Sequence, residues 1–244
     1  MSRYLVIAGT SDIGLTTAKK LLEKGHQVHI TGRKESIVEI ASELKISHSV
    51  LNASDFEAVL NEFEQIEKDF GELDGVVNCA GSIKLKPAHL TCQADYHDII
   101  QANLTTAFAV VHAAGRVMAR RGGSVVLVSS AAALVGLANH EAIAAAKAGV
   151  IGLALSAAAS YANSNLRFNV VAPGLVETKL TQAITGNPAA RKISESMHPI
   201  SRLGQPSDIA SAICFFLDPD NSWVTGQVLA VDGGLSCVRT KVKA

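Results

Sequence analysis

The sequence predicts an α/β protein built as a single doubly wound parallel sheet with helices on both faces. Three observations carry this expectation. Short apolar runs alternate with segments of helical period from the first residues onward, as βαβ units do. A glycine-bearing turn, Ala8-Gly9-Thr10-Ser11-Asp12-Ile13-Gly14, joins the first run to the first helical segment. The 244 residues contain no internal repeat and no linker-like stretch, so one domain over residues 1–244 is expected.

The elements follow in order. Tyr4–Ala8 reads as the first strand. Ile13–Lys24 is an amphipathic helix with Leu15, Ala18, Leu21 and Leu22 on one stripe and Lys19, Lys20, Glu23 and Lys24 opposite, and Gly25 ends it. Gln27–Thr31 is strand two, Glu35–Leu44 a helix and His48–Leu51 strand three. Phe56–Phe70 is a helix with apolar residues at 56, 59, 60, 63, 66 and 70, followed by strand four at Gly75–Asn78. Tyr96–Ala119 reads as one long helix, Ser124–Ser129 as strand five and Ala142–Tyr161 as a second long helix. Arg167–Val171 is strand six. A loop with short helices over Thr178–Met197, a helix at Ser207–Leu217 and a last strand at Gln227–Val231 complete the chain.

Composition narrows the function. Twenty-two basic residues balance 22 acidic ones, 48% of residues are hydrophobic and 18% charged, so neither a disordered chain nor a nucleic-acid or anionic-membrane binder is expected. The four cysteines, Cys79, Cys92, Cys214 and Cys237, form no CxxC pair. That argues against a disulfide framework or zinc site and for reduced thiols in a cytoplasmic protein. The start, MSRYLVIAGTS, runs directly into the glycine turn and reads as a strand rather than a signal peptide. No apolar segment is expected to reach the roughly 20 residues of a membrane span.

Several segments carry chemistry. Glycines between a strand and a helix let backbone amides approach a pyrophosphate, whose charge the helix N-terminus favours. The competing use of Ala8–Gly14 is a plain βα turn capped by Ser11 or Asp12. After strand two the chain reads Thr31-Gly32-Arg33-Lys34, with no acid before Glu35. A guanidinium and an ammonium there suit a ribose 2′-phosphate, favouring NADP(H) over NAD(H), although a solvated basic turn would look the same. A strand ending in Ser129-Ser130 faces a helix carrying Lys147, an arrangement suited to work on a carbonyl.

Together with Leu51-Asn52-Ala53-Ser54-Asp55, Asn78-Cys79-Ala80-Gly81, Pro173-Gly174-Leu175-Val176-Glu177-Thr178 and Val231-Asp232-Gly233-Gly234, these segments resemble the short-chain dehydrogenase/reductase family across nearly the whole chain. The resemblance implies a Rossmann-type fold and an oxidoreductase interconverting a ketone and a secondary alcohol. It places Gly9, Ser11, Asp12, Ile13 and Gly14 at the cofactor phosphates and Arg33 at the ribose. Asn52 and Ala53 fall at the adenine, and Asn78, Ala80 and Gly81 beside the cofactor. Pro173, Gly174, Val176 and Thr178 fall at the nicotinamide carboxamide. Asp12 stands at the second glycine of the family's TGxxxGIG turn. The first glycine is either Gly9 with a one-residue deletion or Ala8 without one.

The family's catalytic group is a serine, a tyrosine thirteen residues on, and a lysine four residues after that, with an asparagine on the preceding long helix. Ser130, Lys147 and Asn103 hold three of these positions, and Ile143 stands where the tyrosine would be. Isoleucine cannot donate a proton. His140 shares a helix face with Ile143 and Lys147 if the helix starts by His140, which makes it one replacement acid. Water held by Asn103 and Lys147 is another. The alternative is a cofactor-binding protein with little or no catalysis, acting as sensor, scaffold or partner subunit.

Leu51–Asp55 and Asn169–Thr178 further resemble the 3-ketoacyl-carrier-protein reductases, which implies a small-molecule carbonyl or alcohol substrate, an acyl thioester among the options. Arg121 falls where those enzymes dock the acidic carrier. A substrate lid is implied at about residues 176–200. The small residues of Ala142–Ala159 suit the pairing that makes such proteins homo-oligomers, tetramers or dimers.

Overall fold

The computed structural model describes residues 1–239, so residues 240–244 of the expected domain lie outside the described part. Seven parallel strands form one sheet: β1 (Arg3–Ile7), β2 (Gln27–Gly32), β3 (Ser47–Val50), β4 (Gly75–Asn78), β5 (Gly123–Val128), β6 (Leu166–Pro173) and β7 (Val228–Val231). Their order is β3-β2-β1-β4-β5-β6-β7. Register sets Val6 beside Ile30 on one side and Val77 on the other.

Successive strand residues point to opposite faces, and both faces are covered. Leu5, Ile7, Val76, Val125, Leu127, Phe168 and Val170 pack beneath α3 (Phe56–Phe70), α5 (Thr106–Val117) and α6 (Glu141–Tyr161). Val6, Ile30, Val77, Val126 and Val171 pack beneath α1 (Asp12–Glu23), α2 (Ile37–Leu44) and α9 (Pro206–Leu217). The order reverses between β1 and β4. That switch leaves a crevice at the carboxyl ends of the strands, where open α/β sheets bind ligands.

The long helix expected over Tyr96–Ala119 is divided. It begins earlier, as α4 (Gln93–Ile100), passes through a π-helical turn at Gln101–Thr105, and continues as α5. In the widened turn the Asn103 side-chain amide donates to the Ile99 carbonyl at 2.9 Å, a side-chain bond that helical periodicity does not encode. The segment expected as loop with short helices holds α7 (Gln182–Thr185) and α8 (Pro188–Met197).

One helix bears on the membrane expectation. The helical stretch Glu141–Ser164 is long and apolar enough to cross a membrane, 18 consecutive residues of it reaching a mean hydropathy of 1.8. In the fold, Val150, Ala154, Ala157 and Ala158 of this helix are buried in the core.

Candidate active site

The turn after β1 keeps its shape with altered residues. Ala8 adopts φ +56°, in the left-handed region that favours glycine, so it holds a position where glycine is easiest. Gly9 serves packing: a Cβ there would lie 2.6 Å from Ile30 Cβ. At Gly14 a Cβ would lie 2.5 Å from the Ala8 carbonyl oxygen. Ser11 caps α1, its hydroxyl accepting from Gly14 N at 3.1 Å and donating to the Ala8 carbonyl at 2.8 Å. The N–H groups of Asp12 and Ile13 find no partner among the described residues, as expected of a helix's first turn. The Asp12 side chain looks away from its own helix and accepts from the backbone N–H of Lys179 at 2.7 Å.

Ala8 and Thr10 to Ile13 of this turn line a cavity of about 940 Å³ that runs along the switch point. Ser11, Asp12, Ile13, Arg33, Asn52, Ala53, Ala80, Gly81 and Thr178 all line it. At one end Arg33 and Lys34 are exposed, and neither is in an ion pair among the described residues. Asn52 is exposed, and its side-chain carbonyl accepts from the Ser54 hydroxyl at 2.9 Å. Thr31 stitches β2 to the turn by accepting from Ala8 N at 3.3 Å.

At the other end the side chains converge on Gly81. Asn78 Oδ1 accepts from Ala80 N at 3.0 Å, and its Nδ2 lies 3.4 Å from the Thr106 hydroxyl, tying β4 to the start of α5. A Cβ on Gly81 would stand 3.0 Å from Asn103 Oδ1 and 3.5 Å from Lys147 Nζ. The Lys147 ammonium donates to the Val128 carbonyl at 2.8 Å, and burial pushes its pKa down to about 8. Burial likewise pushes the neighbouring Cys79 thiol up to about 12, so it stays protonated. Ser130 is the N-cap of the 3₁₀ turn Ala131–Ala133, accepting from Ala132 N at 3.2 Å.

Ile143 is 5% exposed and packs in a small apolar cluster with Ile99 and Ala146. His140 precedes α6 as its cap, at φ −109° and ψ 11°. Its ring turns back, with Nδ1 on the Ala138 carbonyl at 2.7 Å, so it does not continue the Ile143–Lys147 stripe. The left-handed Asn139 (φ +65°) sets this reversal. Pro173 ends β6, and Gly174 makes room for His198: a Cβ would lie 2.7 Å from the His198 ring nitrogen. Val176 is buried and bridges to Gly204, while Thr178 exchanges hydrogen bonds with Thr181 in a capping box.

Some positioning residues escaped the sequence reading. Ser129 donates to the Lys147 carbonyl at 2.8 Å and pins α6 to the end of β5. Ser82 shares both polar atoms of Asn103, accepting at its hydroxyl and donating from its backbone. Buried His198 accepts from Leu175 N at 3.3 Å and supports the loop after β6. Only Ser129 had a visible signal, standing beside Ser130. Arg121, read as a carrier contact, is paired instead with Glu67 and Glu72.

The arrangement fits a nicotinamide dinucleotide on its own observations. Two orphaned amides at a helix N-terminus suit a diphosphate, unpaired cations stand at one end, and a glycine cradle faces a buried amine and amide at the other. Among the described residues no three His, Cys, Asp or Glu side chains cluster to hold a metal ion.

Residues 7–236 match the family described as enoyl-(acyl carrier protein) reductase. A cis-4-hydroxycyclohexanecarboxylate dehydrogenase of Sinomonas cyclohexanicum is 37% identical, the alignment covering 97% of each chain. A 3-oxoacyl-[acyl-carrier-protein] reductase of Haemophilus influenzae is 35% identical, over 95% of this chain and 96% of its own. A short-chain type dehydrogenase/reductase from Mycobacterium ulcerans superposes with a TM-score of 0.93 at 30% identity, covering 98% of this chain and 90% of its own. The structure of ElxO with NADP bound superposes with a TM-score of 0.90 at 31% identity, covering 96% and 98%. On the fold, the crevice and these likenesses, the chain belongs to the short-chain dehydrogenase/reductase family of oxidoreductases.

Proposed function

We propose that this protein is an NADP(H)-preferring enzyme that interconverts a ketone and a secondary alcohol through a site lacking the tyrosine acid. The observation that carries this reading is the convergence of Asn103 and Lys147 on the Gly81 cradle, the lysine a buried ammonium whose one partner among the described residues is the Val128 carbonyl. When bound, the cofactor supplies or accepts hydride. Arg33 and Lys34 hold its 2′-phosphate, and the NADP in the related ElxO structure supports that preference. Lys147 positions the ribose, and Ser130 polarises the substrate carbonyl. The proton comes from His140 or from water held by Asn103 and Lys147; apart from Nδ1, the His140 ring has no partner among the described residues.

Gly9, Gly14, Asn78, Pro173, Gly174 and Val176 shape the cofactor's surroundings from behind the cavity wall. The relatives act, by their names, on an alicyclic hydroxy acid and on an acyl thioester, so a carbonyl or alcohol of that size is the expected substrate. With Arg121 paired to two glutamates, docking of an acidic carrier there finds no support. Unpaired cysteines suit a cytoplasmic setting. Exposed Phe108 and Leu155 on α5 and α6 suit a homodimer or homotetramer.

A second reading, a cofactor-binding protein with little turnover, draws on the apolar packing of Ile143. The test is NADPH oxidation by the native protein, Ile143→Tyr and His140→Ala, with simple ketones and 3-ketoacyl thioesters. Removing a general acid costs about 10²–10⁴ in rate, so Ile143→Tyr is expected to accelerate turnover by up to that factor. Native turnover lost in His140→Ala makes His140 the donor. Turnover seen only with Ile143→Tyr hands the case to the binding-protein reading.

A further inference from the structure

The Asp12 carboxylate is unexpected on chemical grounds. It stands on the first residue of α1, beside the only donors of that helix free to meet a diphosphate, and it lines the same cavity. An acid is favourable at a helix N-terminus when the site is otherwise empty. It is unfavourable once a second anion enters, because two negative charges then stand close together at one helix end.

Its contact adds a second observation. Asp12 Oδ2 accepts from Lys179 N at 2.7 Å, across 167 residues of sequence, so the carboxylate bridges the phosphate turn and the root of the lid segment. The other polar groups at that root are already committed. The Thr178 hydroxyl and backbone N–H are both engaged with Thr181. Glu177, one residue earlier, pairs with Arg191 of α8 and accepts from Gln205. The root is therefore tied to Thr181, Arg191 and Gln205, and the Asp12 contact is the one that joins it to the phosphate turn.

We propose that Asp12 is a latch that the cofactor diphosphate opens: in the free protein its carboxylate ties the lid root to the phosphate turn, and repulsion by the incoming diphosphate displaces it. This rests on the cofactor reading above and adds to it a device that sets affinity and couples cofactor entry to the lid. Displacement frees the Lys179 N–H and lets residues beyond Thr178 move, while the incoming diphosphate takes the Asp12 and Ile13 amides.

The test is equilibrium titration of the native protein, Asp12→Asn and Asp12→Gly with NADPH, and with adenosine 2′-monophosphate, which lacks the diphosphate. Both variants are expected to bind NADPH about ten- to a hundredfold more tightly than native, as removal of one like charge at close range implies. Binding of adenosine 2′-monophosphate should be unchanged. Hydrogen exchange at the Lys179 amide should be slow in the free native protein and faster both in Asp12→Gly and in native protein with NADPH. Melting curves confirm that each variant is folded, and Asp12→Asn keeps the side chain's size. Unchanged or weaker NADPH binding in both variants overturns the latch and leaves the cofactor reading standing. Failure of NADPH to bind any of the three folded proteins overturns both.

Discussion

Lys147 brings an ammonium to a place that is 7% exposed and offers it one carbonyl, that of Val128. The unfolded chain holds this proton up to about 10.5 and the folded chain only to about 8. Between those values the unfolded state binds more protons, so stability rises as pH rises through that window. Below pH 8 both states are protonated and the penalty, about 3 kcal/mol, is present in full. Lys147→Met removes the charge and gives up one hydrogen bond worth about 1 kcal/mol. The expected outcome in thermal unfolding is a higher melting temperature for Lys147→Met at pH 7, the gap closing towards pH 10. An equal gap at both pH values would show that burial does not depress this amine. Lys147 was legible because its spacing from Ser130 can be counted along the chain. Its surroundings were not, because Ser129, Val128 and Gly81 reach it only through the fold.

At the scale of elements, helical periodicity predicted one helix where the chain makes two joined by a π-helical turn. Asn103 sits at that turn and satisfies the Ile99 carbonyl while exchanging two hydrogen bonds with Ser82. Asn103→Ala leaves these partners short of bonds in a buried setting, at about 1–3 kcal/mol. Chemical denaturation is expected to show that loss, with faster hydrogen exchange at Ser82. Retained protection there would separate the loop after β4 from Asn103. The start of α6 teaches a related lesson. Counting puts His140 on a helical stripe only if the helix starts by it; α6 starts at Glu141, His140 is its cap and the ring turns to the Ala138 carbonyl. Helix ends depend on local backbone geometry that side-chain spacing does not report.

For the whole molecule, function depends on which turns the sheet brings together. Strand order sets the Ala8–Gly14 turn and the Asn78–Gly81 turn side by side, with Arg33 and Lys34 at the end of β2 beyond them. Replacing both cations, Arg33→Ser with Lys34→Ser, is expected to weaken NADPH binding at least tenfold while leaving NADH nearly unchanged, as loss of charge-assisted contacts to one phosphate implies. Titration with both cofactors checks this, and equal losses for the two would make these residues a solvated turn. By itself, the sequence determined the alternation of strands and helices, the apolar faces, and the order of the phosphate, ribose and catalytic segments. These follow from periodicity and from glycine, hydroxyl and charged residues at counted distances. Tertiary structure alone decided that Ala8 takes the left-handed turn position, that Asn103 and Lys147 meet at Gly81, and that Asp12 reaches Lys179. Each of these depends on residues far apart in the chain or on a backbone angle, and neither is written in the spacing of side chains.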